Sequence, residues 1–205
     1  MKHLLNFATV MLLGLAFIFT SCDKEGCDPP VNNDVVSGTI TIDATAYDQW
    51  VYFSFADEKI VTVTDFSTSS AWDIGFHRQD VRINCGKSGI GQGGTYNAGK
   101  VDFSSVAEAP ETGYALNDSI EILEAFAMPP VYVTVPGDTV LAKWIDISYG
   151  QAGPEYIISD NIYVIKTADG KYAKIWVKDY FNDSSETGHV TMKYNYQPDG
   201  SRKVE

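Results

Sequence analysis

Side chains that can bind a soft metal or move a proton near neutral pH are few in this sequence. Beyond the apolar N-terminal run they are His77 and His189, Met128 and Met192, and the cysteines Cys22, Cys27 and Cys85. His77 has Asp73 and Asp80 close by in sequence, a combination that serves acid–base pairs and metal sites. The same pattern describes a strand histidine hydrogen-bonded to a turn carboxylate, and that is the reading taken here. His189 opens the last apolar strand after a polar turn, a place for an exposed structural residue. The chain has no Gly-x-Ser-x-Gly elbow, no His-Glu-x-x-His and no Cys-x-x-Cys, so a binding protein is expected rather than an enzyme. Met192 runs in phase with Val190 and Tyr194 and reads as core. Met128 is different: it follows Ile120–Ala127 and directly precedes Pro129-Pro130, at a rigid loop edge. A thioether there is either a lid over the core or a soft metal donor.

The elements that must hold these residues are strands. Trp72, Ile74 and Phe76 alternate with Asp73, Gly75 and His77, the period of a half-buried strand. Arg78-Gln79-Asp80 makes a polar turn, and Val81 and Ile83 resume the alternation. The glycine-rich run Gly86–Gly94 opens no helix and lacks a Gly-Lys-Ser/Thr ending, so it reads as architecture and not as a phosphate loop. Thr39–Ile42, Trp50–Phe55, Ile60–Thr64, Ile120–Ala127, Val131–Val135, Thr139–Ser148, Ile157–Thr167, Tyr172–Tyr180 and His189–Tyr196 all favour strand. Ala168-Asp169-Gly170 is a hairpin turn. Only Asp43–Asp48 and Ser104–Ala109 offer a turn or two of helix. The predicted class is all-β: one compact antiparallel domain.

The N-terminus has a short basic start at Lys2 and His3, an apolar run Phe7–Phe19 too short to span a bilayer, and Ser21-Cys22. Residues 1–21 therefore read as a lipoprotein signal peptide with Cys22 as the lipidated residue, although Phe19 is bulkier than usual at its position. An ordinary secretory signal is the alternative. Residues 22–37, polar and carrying Pro29-Pro30, read as a tether, and 38–205 as the domain. Net charge is -12 with no basic cluster, which argues against nucleic acid and anionic membrane surfaces as partners. Membrane contact is expected through the lipid anchor alone. Cys27 and Cys85 could pair in an oxidising compartment, but Cys27 sits on the tether, and we expect no such disulfide.

Trp72-Asp73, His77-Arg78, Asp80-Val81-Arg82, Asn84-Cys85-Gly86, Ser88-Gly89 and Gly93-Gly94 together resemble the core signature of the HmuY-like haem-binding lipoproteins, surface haemophores of anaerobic Gram-negative bacteria. The likeness continues in order through Thr41-Ile42-Asp43-Ala44, Trp50, Tyr52-Phe53-Ser54-Phe55, Ala152-Gly153-Pro154 with Tyr156, Ala168-Asp169-Gly170, Ala173-Lys174 and Asp179-Tyr180. It implies a HmuY-like all-β fold with haem as cargo. It also implies delivery to a TonB-dependent outer-membrane haem receptor, with host haemoproteins as one source. The implied location is the outer membrane, lipid-anchored and exposed at the cell surface, with a released soluble form as a variant. The early acidic residues behind Cys22 resemble the surface-export signal of the same bacteria; a periplasm-facing lipoprotein is the alternative.

In that family the axial ligands of the haem iron come from two loops, one after the strand matching Ile120–Ala127 and one before the Ala-Gly-Pro segment. The resemblance thus places Met128 and Tyr149 at the ligand positions. The best-known members use two histidines and others methionine; neither region here contains a histidine, so bis-histidine ligation cannot operate. Met128 alone, or Met128 with Tyr149, would meet the iron; Tyr149 would otherwise stack on the porphyrin or hydrogen-bond a propionate. A thioether favours ferrous iron and a phenolate ferric. Phe126, Tyr132, Trp144 and Tyr156 are the candidate pocket walls. The rival reading is a surface adhesion or glycan-binding lipoprotein that keeps the fold without haem.

Overall fold

The computed structural model describes residues Asp34–Glu205; the expected signal peptide, Cys22, Cys27 and most of the expected tether lie outside the described residues. Among the described residues there are thirteen strands and three short 3-10 turns, with no α-helix. A five-stranded sheet runs in the order β1 (Val36–Asp43), β13 (Thr187–Gln197), β12 (Tyr172–Phe181), β11 (Ile162–Lys166), β6 (Gly94–Gly99). A four-stranded sheet follows the order β3 (Lys59–Val61), β2 (Val51–Ser54), β4 (Ile74–His77), β5 (Asp80–Ile83). Two hairpins stand apart from both, β7 (Asp118–Ala125) with β8 (Val131–Gly137), and β9 (Ile145–Gly150) with β10 (Gly153–Ile158). All pairings are antiparallel.

The two larger sheets share one core. Val190, Met192, Tyr194 and Tyr196 alternate with Thr191, Lys193 and Asn195 along β13, so every second residue faces inward. These meet Phe53, Phe55, Ile74, Phe76, Val81 and Ile83 from the four-stranded sheet in a single apolar cluster. Aromatic contacts join the layers, with Tyr194 5.5 Å from Phe53 and 5.6 Å from Phe55 between ring centroids.

The Trp72–Gly94 stretch does form a hairpin, but its strands are buried on both faces rather than half-buried. One face looks into the core. Aromatic side chains cover the other: the Arg82 guanidinium lies 3.5 Å from the Trp50 ring centre and 4.1 Å from that of Phe66, and His77 stacks on Trp50 at 5.3 Å. Period-2 alternation reports the inward face and is silent about a second covered one.

The glycine-rich run wraps one side chain. Asn84, fully buried, donates through Nδ2 to Ser69 O (2.8 Å) and Trp72 O (2.9 Å) and accepts from Gly91 N (3.0 Å) through Oδ1. A Cβ on Gly89 would stand 2.1 Å from Asn84 Oδ1, and one on Gly91 2.5 Å from Asn84 O. Glycine is needed here for close approach. Cys85, next along, is a buried free thiol whose pKa burial pushes up to about 11, so it stays protonated.

Three readings of the strand pattern are corrected. Thr139–Ser148 is not one strand: the Asp138 carboxylate accepts from Val140 N (2.9 Å) and Leu141 N (2.6 Å), setting a 3-10 turn over Leu141–Trp144 before β9 begins. Ile157–Thr167 is two strands, parted where Asp160 adopts φ +57. β6, inside and just after the glycine-rich run, carries no apolar alternation and was not expected. Of the two soft helical stretches, Asp43–Asp48 ends β1 and runs into loop, and the second holds only the 3-10 turn Phe103–Ser105.

Asp73 staples the sheets together. Its buried carboxylate accepts from Phe55 N (2.9 Å), just past β2 of the four-stranded sheet, and from Ala168 N (2.8 Å) in the β11–β12 turn. Burial pushes this carboxyl up to about 6, against the two N–H donors, which favour the ionised form. An unfolded aspartate titrates near 3.9. Between about pH 4 and 6 the folded chain therefore holds a proton that the unfolded chain has released, and this group's contribution to stability falls as pH rises. In urea unfolding, the wild type is expected to lose stability relative to Asp73→Asn across that window, by at most about 1.4 kcal/mol per pH unit. A difference curve flat from pH 4 to 6 would refute the shift.

Candidate ligand-binding cleft

Each free hairpin exposes apolar side chains that a folded monomer would ordinarily bury. Six of the ten large hydrophobics exposed on the described chain lie on them or on their connecting loops: Phe126, Met128, Val131, Tyr132, Tyr149 and Ile157. Such concentration marks a binding surface rather than scattered surface residues. Between the hairpins lies a cleft of about 550 Å3, within the roughly 300–1,000 Å3 typical of cofactor-sized sites.

The walls follow from strand register. Leu123 pairs with Tyr132 across β7–β8, and both face the cleft together with Glu121 and Phe126. Tyr156 pairs with Ile147, and Tyr149 with Pro154, across β9–β10, and all four line the opposite wall. The floor comes from the body of the fold. Tyr180 of β12 lies 5.7 Å from Tyr156 and donates its hydroxyl to Gln79 Oε1 (3.0 Å). Gln79 is fixed in turn by Trp144, whose Nε1–H donates to Gln79 O at 2.9 Å.

At the mouth, Tyr47 stacks on Phe126 at 6.2 Å, and the Arg78 guanidinium sits 4.3 Å over the Tyr47 ring. Arg78 also donates to Thr45 O (2.8 Å) and Thr187 Oγ1 (2.9 Å), which holds its charge in place at the cleft. The charged residues of the lining are Arg78, Asp80 and Glu121. Burial raises the Tyr180 and Tyr156 phenols, with the neighbouring Tyr149 adding to the rise at Tyr156, so both stay neutral at physiological pH.

The sequence-based candidates divide by place. Phe126, Tyr132, Tyr149 and Tyr156 all line the cleft. Tyr149 is 82% exposed. Met128 is fully exposed on the loop joining β7 to β8, beyond the lining residues and followed by a cis Pro129. Trp144 is 1% exposed and contacts Tyr180 edge-on at 5.7 Å. It supports the floor from beneath and presents no wall, because the 3-10 turn sets it facing the core. Tyr47, Arg78, Tyr180, Ile145 and Ile147 line the cleft without having been singled out for it. Ile145 and Ile147 are β9 neighbours of Tyr149, whereas Tyr47, Arg78 and Tyr180 come from distant segments; the only signals for these were His77-Arg78 and Asp179-Tyr180, which belonged to the family likeness.

His77 is a structural residue. It is 1% exposed, with Nε2 2.7 Å from Tyr47 O and Nδ1 3.3 Å from Asp80 Oδ2. His189 is half-buried and bonds Asn182 through Nε2 at 3.2 Å. Among the described residues no cluster of three or more His, Cys, Asp and Glu is placed to hold a metal ion.

Comparison with known proteins decides the family. The profile of the HmuY protein family matches residues 46–194, most of the chain. The chain belongs to the HmuY family. The family is known for haem binding. A candidate HmuY-like haem-binding protein of Bacteroides vulgatus superposes with TM-score 0.63 at 29% identity, covering 77% of this chain and 90% of that one. The apo form of a HmuY analogue from Tannerella forsythia gives TM-score 0.65 at 27% identity, over 80% of this chain and 97% of that one. A candidate lipoprotein of Bacteroides fragilis shares the fold at TM-score 0.65 and 23% identity, over 77% and 88%. Comparison with curated proteins returned no match. Among the described residues no helix is long and apolar enough to cross a membrane.

Proposed function

We propose that this HmuY-family protein is a haemophore: it binds one haem between the β7–β8 and β9–β10 hairpins and hands it to a TonB-dependent outer-membrane receptor. The observation that carries the reading is the convergence of exposed aromatic and apolar side chains on a single cleft with a cation fixed at its mouth. An iron porphyrin has that complement: a broad apolar disc, two propionates and open axial positions. Tyr132, Phe126, Ile147 and Tyr156 would pack against the macrocycle, and Arg78 would pair with a propionate. Tyr149 in the wall and Met128 on the hairpin loop are the proposed axial donors, the phenolate serving ferric and the thioether ferrous iron. Lipidation at Cys22 would tether the protein to the outer membrane, exposed at the surface, with host haemoproteins as one source of cargo.

Haem titration of the purified protein, followed by absorption in air and under dithionite, tests this. Saturable one-to-one binding in at least one oxidation state is expected. If no saturable spectral change appears in either state, haem is not the cargo, and the adhesion or glycan-binding reading takes its place.

A further inference from the structure

The β7–β8 hairpin has two faces, and only one belongs to the haem cleft. Its other face, carrying Ile122 and Val133, which are paired across the strands, roofs a separate pocket of about 220 Å3. Arg82 lines that pocket. It is 2% exposed, and among the described residues no carboxylate lies within ion-pair distance of it. Its one hydrogen bond runs from Nη1 to the Tyr52 hydroxyl at 3.2 Å, and its buried Nε–H has no partner.

An arginine cannot shed its proton to relieve burial, and a buried cation without a counter-charge is costly. Trp50 and Phe66 pack against the guanidinium, their ring centres 3.5 and 4.1 Å from its carbon, and its N–H donors lie in its plane, along the edge. That edge geometry suits a planar carboxylate. The remaining lining is largely hydrocarbon: Ile122, Val133, Val135 and Pro136. Asp48 and Glu124, both exposed, also border the pocket and would repel a dianion such as phosphate more than a single carboxylate. His77 borders it too, with both ring nitrogens already engaged. The volume equals about seven waters at roughly 30 Å3 each, room for a carboxylate with a few carbons.

We infer that this pocket binds a short aliphatic monocarboxylate, its head on the Arg82 guanidinium and its tail against the underside of the β7–β8 hairpin. Tyr47 borders both this pocket and the haem cleft, but the assignment does not rest on haem being the cargo.

The probe is butyrate, with butyramide and chloride as controls at matched pH and ionic strength. Butyrate in several-fold excess over its Kd is expected to raise the unfolding midpoint of haem-free protein by about 2–4 °C, and butyramide by less than a quarter of that. Carbon-13-labelled butyrate should give nuclear Overhauser contacts to the Val133 and Val135 methyls. Arg82→Met should abolish the response. Because that variant removes a buried stacked side chain and can fail to fold, Val133→Phe serves as the second: it fills the pocket from an accessible strand and should abolish butyrate binding while the core stays intact. Equal shifts from butyrate and butyramide, a chloride shift as large as butyrate's, or no butyrate contacts in the wild type would each overturn the assignment.

Discussion

A chain carrying Met128→Ala and Tyr149→Phe together is expected to bind haem about a hundredfold or more weaker and yet unfold within about 4 °C of the wild type. The two halves of this result have separate origins. Met128 is fully exposed and Tyr149 is 82% exposed, so neither supports the haem-free fold. Surface substitutions of that kind shift stability by about 0.5 kcal/mol or less, and about 1 kcal/mol moves the midpoint of a domain of this size by roughly 2–4 °C. Two lost decades of affinity correspond to about 3 kcal/mol, a fair share for axial bonds to the iron. The single variants separate the donors. Met128→Ala should weaken the dithionite-reduced complex more, and Tyr149→Phe the ferric one. Wild-type affinity in the double variant would mean that neither residue meets the iron, even if the cleft itself binds haem.

The opposite pattern is expected at Asn84. Asn84→Ala removes three hydrogen bonds of a fully buried side chain at once, leaving the buried Trp72 carbonyl and the half-buried Ser69 carbonyl and Gly91 amide without this partner. Each lost bond is worth about 1 kcal/mol, and buried groups left unpaired add to the loss. The sum is about 3–4 kcal/mol, read as a fall in the urea midpoint with an unchanged slope. Asn84 is absent from the cleft lining, so haem affinity of the folded fraction should match the wild type. A loss below about 1 kcal/mol would mean that the glycine-rich loop holds its shape without this side chain.

The β-sandwich was legible because its strands alternate or run apolar between strong turn signals, as along β12 and β13. The breaks at Asp138 and Asp160 were not legible, because each depends on a local event, a carboxylate capping two amides or a single left-handed residue, inside a stretch whose composition favours strand. β6 escaped because its pairing with β11 is set by backbone, with glycines at both ends and little apolar side chain to reveal a face. For the cleft, residues near the hairpin tips could be nominated because the family likeness pointed to those loops. The floor and mouth could not, since Tyr47, Arg78 and Tyr180 converge from segments far apart in the chain. Trp144 looked like a wall because an aromatic in a presumed strand has an even chance of facing either way. The 3-10 turn turned it inward.

The separation of the two hairpins from the main sheets bears on hydrogen exchange. In each hairpin every strand has a single laddered neighbour, whereas β11, β12 and β13 are paired on both sides. Amides of β7 to β10 should therefore exchange through small local openings, and those of β12 and β13 only near the free energy of global unfolding. Anything held between the hairpins can be let go by parting them, while the protein as a whole never comes close to unfolding. Slowed exchange confined to the hairpins would be the imprint of a bound ligand.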